Sequence, residues 1–461
     1  MRIRTGLVMA LTAALLTTSS ASAGSKIAND LSSALASGPE SVRIIVRAKA
    51  KPLSETTIQS YRVAPGSYAL KGDALVALRK HQAAESRKEL GDFLAGASVS
   101  SYANQPAAVR NVKDLWIVNA YSAEVTPEIV KQLDSRQDVE GVYLDRVIKF
   151  IEPVTPVKMD DDTSAATPKA WGVERVHAPE VWKLGFKGDG VVIGHIDTGA
   201  DGTHPALKGR ILHFKDFTKQ QRADAYDDQG HGTHTAGSIV GAKNAIGVAP
   251  EAKLIVAKAL DAQGSGGLSG LMNSMQWMLD PDGKGRPFAV SNSWGADRGA
   301  MGDEAGMFRD AVKAWVDAGI VPLFSSGNSG ANTDCIPASY PESFAIGATT
   351  NADKAAYFSS GCKSTWDGQT YIRPDVGAPG QAIVSAAPGG GYVSMDGTSM
   401  ACPHAAGVVA LIKCAKPAIT PAEMLKVLND TSLDLGTPGK DTRFGNGLID
   451  ALKAVQAVQA K

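Results

Sequence analysis

The chain has 461 residues, is 44% hydrophobic and 20% charged, and carries 47 Lys plus Arg against 47 Asp plus Glu. A formal net charge of zero leaves no electrostatic footprint for nucleic acid or for an anionic membrane surface. The apolar share excludes a disordered chain, and the length fits one large domain with appendages.

Met1 to Ala23 reads as an export signal. Arg2 and Arg4 supply a basic start, Gly6 to Leu16 an apolar run too short to cross a bilayer, and Ala21-Ser22-Ala23 a small-residue cleavage site. No later stretch reads as a membrane span. The mature chain is therefore expected to be secreted, extracellular or periplasmic. Export permits disulfides among Cys335, Cys362, Cys402 and Cys414, which allow three complete pairings. If Cys402 and Cys414 share one helix they lie about 18 Å apart, beyond the ~7 Å limit for a bridge. Cys335 and Cys362, both in Gly/Ser-rich sequence, are then the preferred pair, worth about 3 kcal/mol.

Residues 24–150 read as a first unit. Val42–Arg47 is a strand, 69–95 a helix, Trp116–Val125 a half-buried strand by its alternation, Thr126–Leu133 a helix with Pro127 in its first turn, and Val139–Leu144 a strand. That order suggests a small open sheet with helices on one face. Residues 151–170, with Pro153, Pro156 and Asp160-Asp161-Asp162, have no apolar period and read as an exposed linker. From Trp171 the pattern changes. Val191–Ile196, Ala252–Ala257, the run from Phe288 and Ile320–Phe324 are continuous apolar strands, with helices around 232–242, 267–280 and 304–318 between them. Doubly buried strands alternating with helices predict an α/β fold with a mostly parallel β-sheet flanked by helices, preceded by the small α+β unit. This α/β domain is expected over 171–461, with no further module after about 450.

Chemistry-bearing residues fall at strand ends, where sites in parallel sheets lie. Asp197 follows a buried strand; an acid there is either a turn cap or a paired functional carboxylate. Gly230-His231-Gly232-Thr233-His234 opens a helix, and the glycines let the His231 ring stand clear. Without the glutamate of a zincin motif, the two histidines do not read as zinc ligands, and His234 reads as a packed neighbour. Asn328, on the turn Ser326-Gly327-Asn328-Ser329-Gly330, is a turn residue or an amide donor. Ser399 lies in Gly397-Thr398-Ser399-Met400-Ala401-Cys402-Pro403-His404, at the start of the apolar helix running through Ile412. Helix N-termini favour negative charge, so Ser399 is either an N-cap or a nucleophile. Acid, histidine and serine in that chain order are the parts that serine nucleophilic catalysis needs.

With His195–Pro205, Gly230–Gly237, Ser326–Gly330 and Gly397–His404 in order, the chain resembles the subtilisin-like serine proteases over about 171–450. Asn119–Val125 and Val139–Asp145 resemble the family's inhibitor prodomain. The resemblance implies an exported endopeptidase acting through an acyl-enzyme and made as a self-processing zymogen. Ser399 would be nucleophile, His231 base then acid, Asp197 its orienting carboxylate and Asn328 an oxyanion donor. Gly264, Ser265 and Gly266 would form an edge strand for extended substrate. Ser293, Trp294, Gly295, Ser326 and Gly327 would line the pocket beside the scissile bond, with Trp294 in the pocket or in the core. The implied partners are protein or peptide substrates and the chain's own prodomain as intramolecular inhibitor, on a monomer. No cofactor is implied for the chemistry. The family's tight calcium loop looks absent from Gly241–Pro250, while weaker calcium sites stay open and no metal ligand is assigned. Cys402 stands where the family usually has Thr or Ser. The competing function is a non-catalytic peptide-binding protein on the same fold.

Overall fold

A computed structural model of the chain describes residues 25–61, 68–99, 107–150, 157–158 and 170–460. The export-signal reading of Met1–Ala23 and nearly all of the linker lie outside the described residues. Two compact units divide at Arg146 and Val147.

In the first unit, β1 (Val42–Ala48), β2 (Val109–Leu115), β3 (Ala120–Val125) and β4 (Val139–Leu144) form an antiparallel sheet in the order β2-β3-β1-β4. Ile44 and Val46, on one face of β1, pack with Leu90 and Leu94 of the helix Tyr68–Ala97 and with Val130 and Leu133 of Pro127–Ser135. The run Trp116–Val125 is not one strand. Trp116–Val118 is a 3₁₀ turn, and Asn119 follows at φ 56°, left-handed, before β3 begins. The buried Asn119 amide donates to the Ala48 carbonyl at 2.7 Å. Asparagine tolerates that backbone, and its side chain here supplies a bond that a continuous strand would have made from the main chain.

The second unit begins with two short strands, β5 (Val147–Lys149) and β6 (Val157–Lys158), and then builds the main sheet. Its strands in chain order are β7 (Val192–Asp197), β8 (Ile211–Asp216), β9 (Lys253–Lys258), β10 (Ser265–Gly267), β11 (Ala289–Asn292), β12 (Ala296–Asp297), β13 (Val321–Ser325), β14 (Cys335–Ile336), β15 (Phe344–Thr349), β16 (Cys362–Trp366), β17 (Gln369–Arg373), β18 (Val376–Pro379), β19 (Ile383–Ala386) and β20 (Tyr392–Met395). Seven of them, all parallel, run β18-β15-β13-β11-β7-β9-β8. Short hairpins and pairs decorate it: β5 with β10, β12 with β14, β16 with β17, and β6 with the β19–β20 hairpin. Val147–Phe150, expected in the first unit, belong with the second because β5 pairs antiparallel with β10.

One helix anchors the sheet. Thr398–Ala415 is buried without a break from Thr398 to Ile412. A helix apolar on every side must be wrapped by protein, and its Val408, Val409, Leu411 and Ile412 join Ile193, Leu323 and Ile346 of the strands in one core. Among the described residues it is the helix long and apolar enough to cross a membrane, and most of it is packed inside the unit.

That core holds two neutral histidines. His234 Nε2–H donates to the Ile383 carbonyl at 2.9 Å and His404 Nδ1–H to Met400 at 2.7 Å. Burial pulls His234 down to about 3 and His404 to about 4. Below about pH 6.5 the unfolded chain binds protons that the folded chain refuses, so stability falls with falling pH. For His404 alone the loss reaches about 3 kcal/mol near pH 4. Denaturant midpoints of the Ser399→Ala chain are therefore expected to drop steadily between about pH 6.5 and 5.5, above the range where ordinary carboxylates titrate. A flat midpoint across that window would refute the neutral-histidine account.

Candidate active site

Asp197 is the last residue of β7 and is fully buried. Its Oδ1 accepts from the Thr198 N–H at 2.7 Å and from His231 Nδ1–H at 2.7 Å. Burial pushes the carboxyl up, but the His231 ring and its hydrogen bond, His195 and the Thr198 N–H outweigh it and hold Asp197 below the usual carboxylate value. It is therefore an anion at neutral pH.

His231 opens the helix His231–Val240. The orphan N–H groups of that first turn are all met: Gly230 by Asp227 Oδ1 at 2.9 Å, His231 by Gln229 Oε1 at 2.7 Å, Gly232 by Thr198 Oγ1 at 2.8 Å, and Thr233 by Asp227 Oδ2 at 2.8 Å. Thr198 Oγ1 in turn donates to Asp227 Oδ1 at 3.0 Å. Asp227 and Thr198 thus rivet the helix start to the end of β7. A Cβ on Gly232 would collide with the Gly199 carbonyl, so only glycine lets the helix come this close. Nothing in the sequence pattern marked Asp227 and Thr198, although a threonine directly after the strand-end acid and an acid four residues before the histidine were there to be seen.

Ser399 is the second residue of Thr398–Ala415, with Gly397 before the helix. Its backbone N–H lies in the first turn, where no intrahelical acceptor exists. Pro403 has no N–H to give the Ser399 carbonyl, and Ser293 Oγ donates to it instead at 2.8 Å. The Ser399 hydroxyl rests on the Ser293 carbonyl at 3.2 Å. His231 Nε2 is buried with no hydrogen-bond partner among the described residues. With Nδ1–H given to Asp197, Nε2 is left as an acceptor. Asn328 Oδ1 accepts from the Thr398 N–H at 2.9 Å and the Thr398 hydroxyl at 2.8 Å. Those two bonds fix which amide atom is which, and free Nδ2–H to donate.

His231, Ser293, Trp294, Gly295, Gly327, Asn328 and Ser399 line one cleft, with Ala296, Ser325, Cys335 and Ile148–Phe150. Ser326 is not among its lining residues: its hydroxyl turns away to the Ser360 carbonyl at 2.8 Å, and its strand neighbour Ser325 takes the place expected for it. Trp294 is both core and wall. It is 1% exposed and packs on Phe308 and Phe324, yet its ring meets Phe150 edge-on at 5.7 Å. Ser265 and Gly266 lie in β10 opposite Lys149 and Ile148, and the Gly264 carbonyl accepts from the Phe150 N–H at 3.1 Å. The Cys335–Cys362 bridge expected from the sequence is not formed in this structure, where all four cysteines are free thiols. Burial pushes the Cys335 thiol far up and Cys362 to about 11, so both are neutral thiols. Cys335 instead floors the cleft, where a Cβ on Gly295 or Gly327 would press on its sulfur. Cys402 and Cys414 both sit on the serine helix.

Comparison with known proteins gives this geometry a family. The Subtilase family profile matches residues 188–447. Bacillopeptidase F of Bacillus subtilis is 34% identical over 426 residues, covering 84% of this chain and 29% of that protein. Alkaline elastase YaB of a Bacillus species is 32% identical over 403 residues, covering 80% of this chain and all of the relative. Subtilisin E of Bacillus subtilis is 32% identical over 353 residues, 75% of this chain and 82% of its own. The chain thus spans less than a third of the first relative and the full length of the second. On the matched profile and these relatives, the chain belongs to the subtilase family of serine endopeptidases.

Proposed function

We propose that the chain is an exported endopeptidase that cuts peptide bonds through an Asp197–His231–Ser399 triad and an acyl-enzyme, and that it is made as a precursor which processes itself. The observation that carries this reading is the buried 2.7 Å bond from His231 Nδ1–H to an ionised Asp197, with Ser399 and Asn328 in the same cleft. Because Nδ1 holds the proton, Nε2 presents a lone pair. The Ser399 hydroxyl swings from the Ser293 carbonyl to Nε2 and attacks the substrate carbonyl as His231 takes its proton. Asp197 stabilises the imidazolium. The oxyanion lands between the Ser399 N–H and Asn328 Nδ2. His231 then returns the proton to the leaving amine, and water repeats the cycle on the ester. Nucleophile, base and oxyanion donors all come from the chain, so the chemistry asks for no cofactor.

Substrate would bind as Val147–Phe150 does, antiparallel to Ser265–Gly267, so that main-chain bonds give affinity and side-chain choice falls to the pockets. That segment lies where substrate belongs, which supports a self-inhibited precursor whose cut falls in 151–170. The export proposal rests on Arg2, Arg4, Gly6–Leu16 and Ala21–Ala23. The test is N-terminal sequencing with intact mass of the wild-type product and hydrolysis of a denatured protein. A mature form starting inside 151–170 and cutting that substrate is expected; an unprocessed, inactive wild type would refute it. Asn328→Leu should lower kcat about 100- to 1,000-fold with KM little changed, the scale known for the subtilisin oxyanion asparagine. Steady-state kinetics check this, and an equal fall carried by KM would remove Asn328 from the oxyanion site.

A further inference from the structure

His195 is a buried histidine that the triad does not use. Alternation along β7 puts it on the face of Asp197, and one helical turn puts Thr235 on the face of His231. The three meet behind the catalytic carboxylate. His195 Nε2 lies 2.8 Å from Thr235 Oγ1, and Thr235 Oγ1 lies 3.3 Å from Asp197 Oδ2. His195 Nε2 is itself 3.9 Å from that oxygen.

We propose that His195 and Thr235 form an ordered donor relay, His195 Nε2–H to Thr235 Oγ1–H to Asp197 Oδ2, which positions the catalytic carboxylate from behind. The proton order follows from what lies on the other side of the ring. His195 Nδ1 is buried with no hydrogen-bond partner among the described residues. A buried lone pair without a partner is tolerated far better than a buried N–H without one, so the proton belongs on Nε2. Nε2–H then donates to Thr235 Oγ1. That leaves the hydroxyl proton to choose among Asp197 Oδ2 at 3.3 Å and the His231 and Gly232 carbonyls at 3.2 Å each. The carboxylate is the charged acceptor and wins over two neutral ones already serving the helix. Reversed, the relay would orphan the Nδ1–H and take from Oδ2 its hydrogen-bond donor.

The charged and titratable groups facing His195 are Asp197 from its own strand, His231 from the helix and Asp227 from the preceding loop. Burial is the strongest influence on the ring and keeps it neutral. A neutral donor suits the task, because a cation there would compete with His231 for Asp197. With Oδ1 held by His231 and Thr198, the relay gives Oδ2 its donor and stops the carboxylate from turning. It also draws off some of the negative charge that attracts the imidazolium.

The inference rests on the triad reading above, and the tests separate the two. Thr235→Val should lower kcat about tenfold with KM nearly unchanged. It should also move the acid limb of kcat/KM to higher pH, because an undonated carboxylate holds the His231 proton more tightly; a packing role alone would leave that limb in place. His195→Gln, whose amide N–H reaches the Nε2 position, should recover most of what His195→Val loses. The double variant His195→Val/Thr235→Val should be no worse than Thr235→Val alone, since His195 acts through Thr235; additive losses would overturn the relay. Should His195→Val fail to fold, nitrogen-15 spectra of the full-length Ser399→Ala chain decide: a neutral ring protonated at Nε2 is expected, and a proton on Nδ1 or a doubly protonated ring at neutral pH overturns the proposal. Activity remaining in Ser399→Ala would sink the triad reading and leave the tautomer result standing.

Discussion

Replacing Ser399 by alanine is expected to lower kcat about a millionfold, the scale known for a subtilisin triad serine, and to leave the full-length precursor uncut. The loss should be chemical rather than structural. The Ser399 hydroxyl makes one weak bond, to the Ser293 carbonyl at 3.2 Å. The helix start does not depend on it: the Ser399 carbonyl keeps its bond from Ser293 Oγ, and the Met400 N–H still reaches the Gly397 carbonyl at 3.0 Å. Removing one oxygen from so packed a place leaves the backbone where it was. Single-turnover hydrolysis and the mass of the purified chain, made in a host without other proteases, check the two halves of the prediction. Normal maturation of Ser399→Ala in that host would rule out self-processing through Ser399.

Asp197→Asn should cost about 10,000-fold in kcat. Either pose of the amide fails. If its nitrogen faces His231, the ring must present a lone pair at Nδ1, which moves the proton to Nε2 and leaves nothing to accept from Ser399. If its oxygen faces His231, the tautomer survives, but the charge that stabilises the imidazolium is gone. The NH2 group would then point at Thr235 Oγ1, which now sits beside Oδ2 and would have to accept rather than donate. KM should change little, because Asp197 is buried behind His231 and is not among the residues lining the cleft. A loss under tenfold would remove Asp197 from the mechanism.

Much of this arrangement is legible in the residues because it rests on short-range rules. Strands β7, β9, β11 and β13 are buried on both faces, so each reads as an unbroken apolar run. The helix after Ser399 reads as buried because it is apolar all round. Asp197, His231, Asn328 and Ser399 could be singled out because glycines and strand ends mark each of them. What stayed hidden depends on partners distant in sequence. Asn119 splits an alternating run because the acceptor of its side chain, the Ala48 carbonyl, is supplied by another strand. Val147–Phe150 carry no sign of belonging with residues 264–267 until β5 and β10 pair. Ser325 and Ser326 look alike in sequence, and only the strand alternation decides which faces the cleft. Cys335 floors the cleft, a place that loop composition does not announce. His195 lay inside a recognised motif without a role, because its partner Thr235 comes from a different motif.

The central claim is that Ser399 is an activated nucleophile. The mature protein treated with a serine-directed phosphonate and mapped by peptide mass spectrometry tests it most directly. The expected result is one stoichiometric adduct, on the peptide carrying Gly397-Thr398-Ser399-Met400. No adduct, or an adduct on any other serine, would contradict it.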